Sequence, residues 1–347
     1  MSESRKPLPS DRGAVTMSFL ARHGYAEARR EPLAQDASFR HYLRLTDGPR
    51  SAVLMDAPEP EEVRAFLRVA AHLSGLGLSV PAIIAADPDN GLVLEEDLGD
   101  VALFPPPLEA GREGAWTYVV ETRLDAVIDV VVAMHRAAPP IGLPAWDGAA
   151  MGQAALGTLL GWWWPAAFGS APSEDVRADF AAALGAILQP LAAGPRSFVH
   201  RDLFADNLVW LPHRTEIRRV GILDFQSGAI GHPAYDVVSL LQDARRDISR
   251  ELAQRAIARY LSRRPDLDPT AFEAAFAACA AQRHLRVACQ WVRLARRDHR
   301  PHYLAHGPRT WGLLEAALRH PVAAPLSAVF DRWIPPEMRA NPRGLAA

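Results

Sequence analysis

The chain is organised around the segment His200-Arg201-Asp202-Leu203-Phe204-Ala205-Asp206-Asn207, which is followed by Ile222-Leu223-Asp224-Phe225-Gln226. Asn207 and Asp224 lie 17 positions apart (224 − 207). Two apolar runs, Leu208–Leu211 and Val220–Leu223, fill this interval, and polar residues typical of a turn separate them. The pattern predicts a short hairpin that brings Asp224 back beside Asn207.

The polar side chains of this segment are the types that phosphoryl transfer requires. A carboxylate such as Asp202 can orient an acceptor hydroxyl and accept its proton, so Asp202 is the predicted catalytic base. Asn207 and Asp224 offer oxygen ligands for a Mg²⁺ ion on nucleotide phosphates. His200 and Arg201 are predicted to support the loop.

A second motif, Gly231-His232-Pro233-Ala234-Tyr235-Asp236, narrows the interpretation. The His-x-Asp-x-x-x-x-Asn and Asp-Phe spacing matches the signature of protein and small-molecule kinases. With the second motif added, the chain resembles the aminoglycoside phosphotransferase and choline kinase superfamily from about Asp36 to Arg319. The resemblance implies ATP and Mg²⁺ as cofactors, and a catalytic loop that Asp236 supports.

The order of predicted elements agrees with a kinase-like plan. Short strand patterns and one amphipathic helix come first, and everything after the Pro105-Pro106-Pro107 break is predominantly helical except the hairpin. We therefore predict an α+β, two-lobed protein-kinase-like fold, with an antiparallel sheet and a helix in the small N-lobe and a larger, mainly helical C-lobe. The predicted divisions are a flexible arm at 1–16, the N-lobe at 17–98 and the C-lobe at 99–347, which ends in a loose tail from Pro335.

The nucleotide side departs from the usual kinase pattern in two ways. The expected phosphate loop has no glycine, so Ser38 and Arg40 are the candidate phosphate ligands there. Met55 occupies the place of the usual phosphate-binding lysine, and Lys6 is the only lysine of the chain. The chain is then either a pseudokinase or an enzyme in which an arginine replaces lysine, and the intact base and metal ligands favour the enzyme.

Arginine can bind phosphate in bidentate fashion, so the substitution is physically reasonable. The substitutes to test are Arg40, Arg44, Arg64 and Arg68, of which Arg40 or Arg44 is preferred. The resemblance also implies that adenine binds backbone groups of the connector, where Glu96 and Leu98 stand; an ordinary solvated turn explains the acidic residues there equally well.

The acceptor side is suggested by a late helical stretch, Ala280–Thr310, which carries seven arginines and one acid. Most of these arginines are expected to lie on a solvated face, but repulsion along one stripe suggests a partner for one or two. Arg283 and Arg286 are the candidates, and Trp163 is a tentative aromatic contact. A polycationic aminoglycoside, or choline, does not suit such a site, so a neutral or anionic acceptor is expected.

A finer resemblance is to the bacterial kinases that phosphorylate the anomeric hydroxyl of N-acetylmuramate and N-acetylglucosamine in cell-wall recycling. The segments that carry it are Asp36-Ala37-Ser38-Phe39-Arg40-His41-Tyr42, Met55-Asp56-Ala57-Pro58, Leu223-Asp224-Phe225-Gln226, Tyr235-Asp236-Val237-Val238-Ser239-Leu240-Leu241 and Gln282-Arg283-His284-Leu285-Arg286. The subgroup lacks the strand lysine as well. The resemblance implies a small-molecule sugar as the partner and a lactyl carboxylate that Arg283 or Arg286 could bind.

Composition sets further limits. A net charge of −2 gives no indication of a nucleic-acid or anionic-membrane partner. No apolar run suits a membrane span, and two cysteines ten positions apart on one helix do not suit a disulfide, so a cytoplasmic protein is expected. The oligomeric state is not indicated. The alternatives to a sugar kinase are a kinase for another small hydroxyl acceptor and a non-catalytic nucleotide-binding regulator.

Overall fold

The computed structural model describes residues 9–33, 40–57, 60–105 and 113–345. The chain divides into two compact units. Unit 1 comprises the chain up to Val101 together with Val209–Ser227, and unit 2 comprises Ala102–Leu208 and Gly228–Ala347. The predicted α+β class is confirmed, with an antiparallel sheet near the N-terminus and a mainly helical remainder.

The strands are β1 Arg29–Pro32, β2 His41–Asp47, β3 Arg50–Asp56, β4 Ile83–Asp87, β5 Leu92–Glu96, β6 Ala145–Trp146, β7 Ser197–Val199, β8 Leu208–Trp210, β9 Val220–Ile222 and β10 Ala229–Gly231. The helices are α1 Pro9–Arg22, α2 Pro60–Gly75, α3 Glu113–Arg136, α4 Gly148–Thr158, α5 Trp164–Phe168, α6 Glu174–Leu188, α7 Ala234–Leu241, α8 Arg250–Ser262, α9 Pro269–Arg297, α10 Gly307–Leu318 and α11 Ala324–Trp333.

Unit 1 is built on a five-stranded antiparallel sheet in the order β1-β2-β3-β5-β4. Successive side chains of each strand point to opposite faces of the sheet. Leu45, Leu54 and Leu94 share one face and are fully buried there. Phe19 and Leu20 of α1 pack against this face. The short strand patterns predicted for the N-lobe are present as the β2–β3 hairpin and the antiparallel pair β4 and β5.

Helix α1 begins at Pro9, inside the stretch predicted to be a flexible arm, and the prediction is corrected for residues 9–16. Proline suits the first turn of a helix, since that turn needs no N–H donor. Arg12 donates to Asp56 at the end of β3 and to Ala57 O at 3.0 Å. Arg12 therefore anchors the start of a helix whose polar composition resembles that of a loop.

Unit 1 also includes Val209–Ser227, which the sequence had assigned to the C-lobe. Ser79 Oγ donates to Arg218 O at 2.7 Å, and Phe66 of α2 stacks on Phe225 with ring centroids 4.8 Å apart. Gly221 is required by close packing, since a Cβ there would lie 2.5 Å from Val209 Cγ2. The predicted hairpin is present as β8 and β9.

Unit 2 consists of helices α3–α11 and a three-stranded sheet in the order β6-β10-β7. Its centre is α9, a 29-residue helix that packs against α4, α7 and α10. Cys279 and Cys289 of α9 are buried and free, as predicted. Burial raises the pKa of both thiols, so they remain protonated and unreactive.

One helical stretch among the described residues, Glu174–Ala193, is long and apolar enough to cross a membrane by length and composition alone. Core helices pass the same test. Val176, Phe180 and Leu184 of this stretch are buried in unit 2, and Phe180 packs edge-on against Phe330 of α11. One face of this helix is therefore buried in unit 2, and the opposite face is exposed.

The C-terminal segment is not the loose tail that was predicted, at least as far as residue 345. Arg339 donates to Ile334 O at 2.8 Å, and Asn341 Nδ2 donates to Leu304 O at 2.7 Å. Trp163 Nε1 donates to Ala340 O at 2.9 Å. These side-chain contacts to backbone carbonyls hold a segment that lacks a periodic apolar pattern of its own.

Candidate active site

The catalytic loop of unit 2 runs from the end of β7 into a 3₁₀ turn, Ala205–Asn207. Asp236, near the start of α7, is fully buried behind it. Its Oδ2 accepts the backbone N–H of His200 at 2.7 Å, and its Oδ1 accepts that of Arg201 at 2.9 Å. Arg201 has φ 74°, a strained left-handed conformation for a residue with a side chain. The two bonds to Asp236 stabilise that conformation, which agrees with the predicted supporting role.

Asp202 follows the strained residue directly and lies among arginines. Its Oδ1 is 3.7 Å from Arg286 NH2 and 4.0 Å from Arg283 NH1. Burial alone would raise the pKa of this carboxyl, but the charges of Arg286, Arg283 and Arg201 outweigh burial and lower it. The side chain remains 34% exposed. Asp202 is thus an ionised carboxylate that is accessible and held by charge at a distance rather than by short hydrogen bonds.

Two aromatic rings complete this cluster, and neither was anticipated from the sequence. The Arg201 guanidinium lies 3.9 Å from the ring centroid of Trp146, and that of Arg283 lies 5.6 Å from Tyr235. Both distances are typical of cation–π contacts. Tyr235 precedes Asp236 in the second motif and could have been suggested by that position. Trp146 lies in the two-residue strand β6, and no motif around it in the sequence indicates a functional role.

Asn207 is also positioned by the loop. Its Nδ2 donates to the backbone carbonyl of Asp202 at 2.8 Å. The amide nitrogen is therefore used within unit 2, and the carbonyl oxygen is the atom suited to a hard cation.

The other predicted magnesium ligand, Asp224, lies in unit 1. Asp224 follows β9 and has φ 56°, again in the left-handed region. Its Oδ1 accepts Gln226 Nε2 at 2.7 Å and Arg40 NH2 at 3.1 Å. The Arg40 side chain is only 8% exposed, whereas that of Asp224 is 42% exposed. A buried arginine therefore faces an accessible carboxylate at the position where the motif predicts a magnesium ligand.

The donor set is compatible with magnesium. No group of three or more His, Cys, Asp or Glu side chains that could hold a metal occurs in the part of the chain that the structure describes. Mg²⁺ bound to a nucleotide needs only one or two protein oxygens, since phosphates and water supply the other ligands. Asp224 and Asn207 belong to different units, so a single ion shared between them stays a prediction.

Two of the arginines that compete with Arg40, Arg44 and Arg64, have other partners. Arg44 Nε lies 2.8 Å from Asp97 Oδ2, and its NH1 is 3.4 Å from Asp100, so its side chain is bound to the connector. Arg64 pairs with Asp89, whose side chain is largely exposed. These contacts do not support the predicted nucleotide-binding role of Arg44.

The remaining nucleotide residues are placed as follows. Glu96 ends β5, and its side chain pairs with Arg214 of the β8–β9 hairpin, also in unit 1. Leu98 packs close to Gly221, whose added Cβ would lie 3.0 Å from Leu98 Cδ1. Both side chains make contacts within unit 1. The binding of adenine by their backbone groups stays a prediction. Ser38 lies outside the described residues.

Trp163, the tentative acceptor residue, belongs to the core, and that prediction is corrected. Its side chain is fully buried, and its ring lies 5.4 Å from that of Trp311. Its indole N–H is bonded to Ala340 O. Trp162 and Trp163 end a wider helical turn, Leu159–Trp163, and Trp164 begins α5.

Comparison with known proteins agrees with this geometry. Residues 29–273 match the profile of the phosphotransferase enzyme family. An N-acetylmuramate/N-acetylglucosamine kinase of Caulobacter vibrioides is 37% identical, with 96% of this chain and 99% of that protein covered. One of the same name from Pseudomonas aeruginosa is 33% identical, with 86% and 87% covered.

Solved structures agree on the fold. Choline kinase LicA from Streptococcus pneumoniae superposes with a TM-score of 0.62 at 11% identity, covering 88% of this chain and 99% of that chain. A thermostable mutant of aminoglycoside phosphotransferase APH(4)-Ia, in complex with ADP and hygromycin B, gives 0.55 at 16% identity, covering 87% and 97%. The predicted kinase-like fold is confirmed, and the chain belongs to the phosphotransferase enzyme family.

Proposed function

We propose that the protein is an ATP- and Mg²⁺-dependent kinase that phosphorylates the anomeric C1 hydroxyl of N-acetylmuramate, N-acetylglucosamine or both. The product would be the sugar 1-phosphate, made in the cytoplasm for peptidoglycan recycling. The four curated relatives, 27–37% identical, all carry the name N-acetylmuramate/N-acetylglucosamine kinase. The observation that carries the proposal is the accessible carboxylate of Asp202 within a cluster of arginines.

The electrostatics of Asp202 favour an acidic acceptor hydroxyl. A carboxylate whose pKa is lowered by arginines is a weak base, so it acts mainly by orienting the hydroxyl and by accepting its proton late. An anomeric hydroxyl is more acidic than an ordinary alcohol and suits such a base. Bound Mg²⁺, held by oxygens of Asn207 and Asp224, would neutralise phosphate charge during transfer.

Arg40 is our choice for the cation that replaces the missing lysine. Its guanidinium is buried beside the magnesium ligand Asp224, whereas Arg44 and Arg64 are paired with Asp97 and Asp89. Replacing Arg40 with alanine should raise the KM for ATP, and R44A and R64A are the matched controls. An unchanged KM for ATP in R40A would contradict the assignment.

Arg286 is the preferred ligand for the lactyl carboxylate of N-acetylmuramate. The Arg283 side chain is 6% exposed and lies over Tyr235, whereas that of Arg286 is 14% exposed, so Arg286 is the more accessible of the two. R286A should raise the KM for N-acetylmuramate more than the KM for N-acetylglucosamine, which lacks that carboxylate. An equal effect on the two sugars would remove the carboxylate-pairing argument.

Phosphorus NMR tests the whole proposal. Purified protein is incubated with Mg-ATP and each sugar separately, with D202N as the control. A sugar 1-phosphate resonance that D202N does not produce is the expected result. Absence of any sugar phosphate, in protein that binds ATP, would refute the assignment of the acceptor and favour another small hydroxyl compound.

A further inference from the structure

A row of buried polar side chains connects the catalytic loop to the end of α8, entirely within unit 2. Asp236 Oδ2 lies 3.3 Å from His135 Nε2, at the end of α3. His135 Nδ1 lies 2.9 Å from the hydroxyl of Tyr260 on α8. Arg264 NH1 donates to the same hydroxyl at 3.2 Å and is paired with Asp266. All four side chains of this row are buried, namely those of Asp236, His135, Tyr260 and Arg264.

The chemistry of these groups allows one direction of hydrogen bonding through a neutral imidazole. Arg264 can only donate, so the Tyr260 oxygen accepts from it, and the Tyr260 hydroxyl hydrogen is available to donate to His135 Nδ1. With Nδ1 as acceptor, Nε2 carries the proton and donates to the carboxylate of Asp236. Burial raises the pKa of Tyr260, which keeps its hydroxyl protonated and able to donate. Tyr260 and Asp236 therefore favour the same tautomer of His135, with the proton on Nε2.

The end of this row is the strained part of the catalytic loop. Asp236 Oδ2 accepts from both His135 and the backbone N–H of His200, while its Oδ1 holds the N–H of Arg201. Arg201 has its left-handed backbone at that point, and Asp202 is the next residue. A rotation of the Asp236 carboxylate would thus move the peptide that determines where Asp202 points.

We propose that His135 and Tyr260 are positioning residues for phosphoryl transfer: Tyr260 sets the tautomer of His135, and His135 orients Asp236 and thereby the peptide that carries Asp202. The inference rests on the proposed function, because Asp202 is taken as the base. Both residues are buried, so we expect neither to contact the acceptor. Their effect is expected on the rate of transfer rather than on the binding of either substrate.

Three variants separate this role from simple packing. Y260F keeps the ring, which lies 5.4 Å from that of Phe272, and removes only the hydroxyl. It should lower kcat by roughly tenfold, since small misplacements of a reacting group are costly, and leave both KM values within about twofold. H135L should lower kcat further. H135Q, whose amide can still donate to Asp236, should recover most of the loss.

Y25F is the matched control, because Tyr25 is a buried tyrosine in unit 1. All assays are run well below the lowest Tm of the set. The proposal is overturned if Y260F and H135L lower Tm but leave kcat within twofold of wild type. It is also overturned if H135Q is no better than H135L.

A second readout does not depend on the acceptor. Nitrogen-15 NMR of His135 should show the proton on Nε2 in the wild type and a mixture of tautomers in Y260F. Amide exchange at Arg201 should be faster in Y260F than in wild type. If the wild type phosphorylates neither sugar, the proposed function fails, while an unchanged tautomer and unchanged exchange in Y260F would refute the positioning role itself.

Discussion

Asp236 and Asp202 are two carboxylates of the same catalytic loop region with different surroundings. Asp236 is fully buried and accepts two backbone N–H groups at 2.7 and 2.9 Å. Asp202 is partly exposed, and its Oδ1 lies 3.7 Å from Arg286 NH2 and 4.0 Å from Arg283 NH1. Fixed backbone dipoles stabilise the first, and side-chain charges stabilise the second.

The difference separates a carboxylate that holds structure from one that is available for chemistry. Short bonds to backbone use the lone pairs of Asp236 and define its geometry. Charges at a longer distance keep Asp202 ionised without occupying its oxygens, so an acceptor hydroxyl can still bind to them. If experiments showed that Asp236 serves the chemistry and that Asp202 only holds structure, the assignment of the catalytic base would be wrong.

The largest expected effect is on turnover in D202N. Removal of a general base costs about 10²–10⁴-fold, so kcat should fall by about a thousandfold while the far-UV circular dichroism stays that of the wild type. Steady-state kinetics with Mg-ATP and each sugar provide the measurement. Retention of more than a tenth of the wild-type kcat would assign the base elsewhere.

The next effect is on stability in D236A. The change leaves two buried N–H groups without an acceptor, each costing about 1–3 kcal/mol, and Tm should fall by roughly 5–10 °C. Thermal unfolding is the measurement, and D206A is the control. Asp206 is an exposed carboxylate whose pairs with Arg245 and Arg246 are expected to contribute little. Similar Tm values for the two variants would contradict the structural role of Asp236.

A smaller effect is expected on the pH profile in R286A. Arg286 helps to lower the pKa of Asp202, so its removal should raise that pKa. The reaction needs the ionised carboxylate, and the acidic limb of the kcat/KM profile should therefore move to higher pH. R296A is the control on the same helix, because Arg296 is exposed. If the acidic limb of the R286A profile stays at the wild-type pH, Arg286 does not control the ionisation of Asp202.

The smallest effect concerns Glu95, a third carboxylate, which is buried in unit 1 with one oxygen lacking a hydrogen-bond partner among the described residues. Burial raises its pKa to about 8, and Arg40 only partly opposes this. The folded state thus holds the proton more tightly than the unfolded chain, so stability is lost as pH rises from the unfolded pKa toward 8. E95Q should raise Tm by a few degrees at pH 8 and by less at pH 5. An equal change at both pH values would exclude titration of Glu95 as the cause.

Much of the catalytic loop could be predicted because its chemistry is local. The spacing from His200 to Asn207 and the apolar runs before Asp224 are properties of consecutive residues, and β8, β9 and the 3₁₀ turn follow from them. Arg40 was one of four candidate arginines. Their different partners, such as Asp224 for Arg40 and Asp97 for Arg44, are residues distant in sequence.

The errors have a common origin in long-range contacts. Residues 9–16 look like a loop by composition, yet α1 includes them because Arg12 reaches Asp56. Trp163 looked like a ligand contact, yet its N–H is bonded to Ala340, far along the chain. A hydrogen bond to a backbone carbonyl, or an ion pair between distant residues, leaves no periodic pattern in the sequence. Neither contact could therefore be anticipated.

The sequence by itself determined the family, the fold class and the candidate base and metal ligands, because closely spaced polar residues between apolar runs define both local structure and chemistry. Only the tertiary structure decided which arginines face Asp202 and Asp224, and that His135 and Tyr260 stand behind Asp236. Such pairings depend on how helices and strands pack, and one sequence does not specify which distant side chains that packing brings within hydrogen-bond distance.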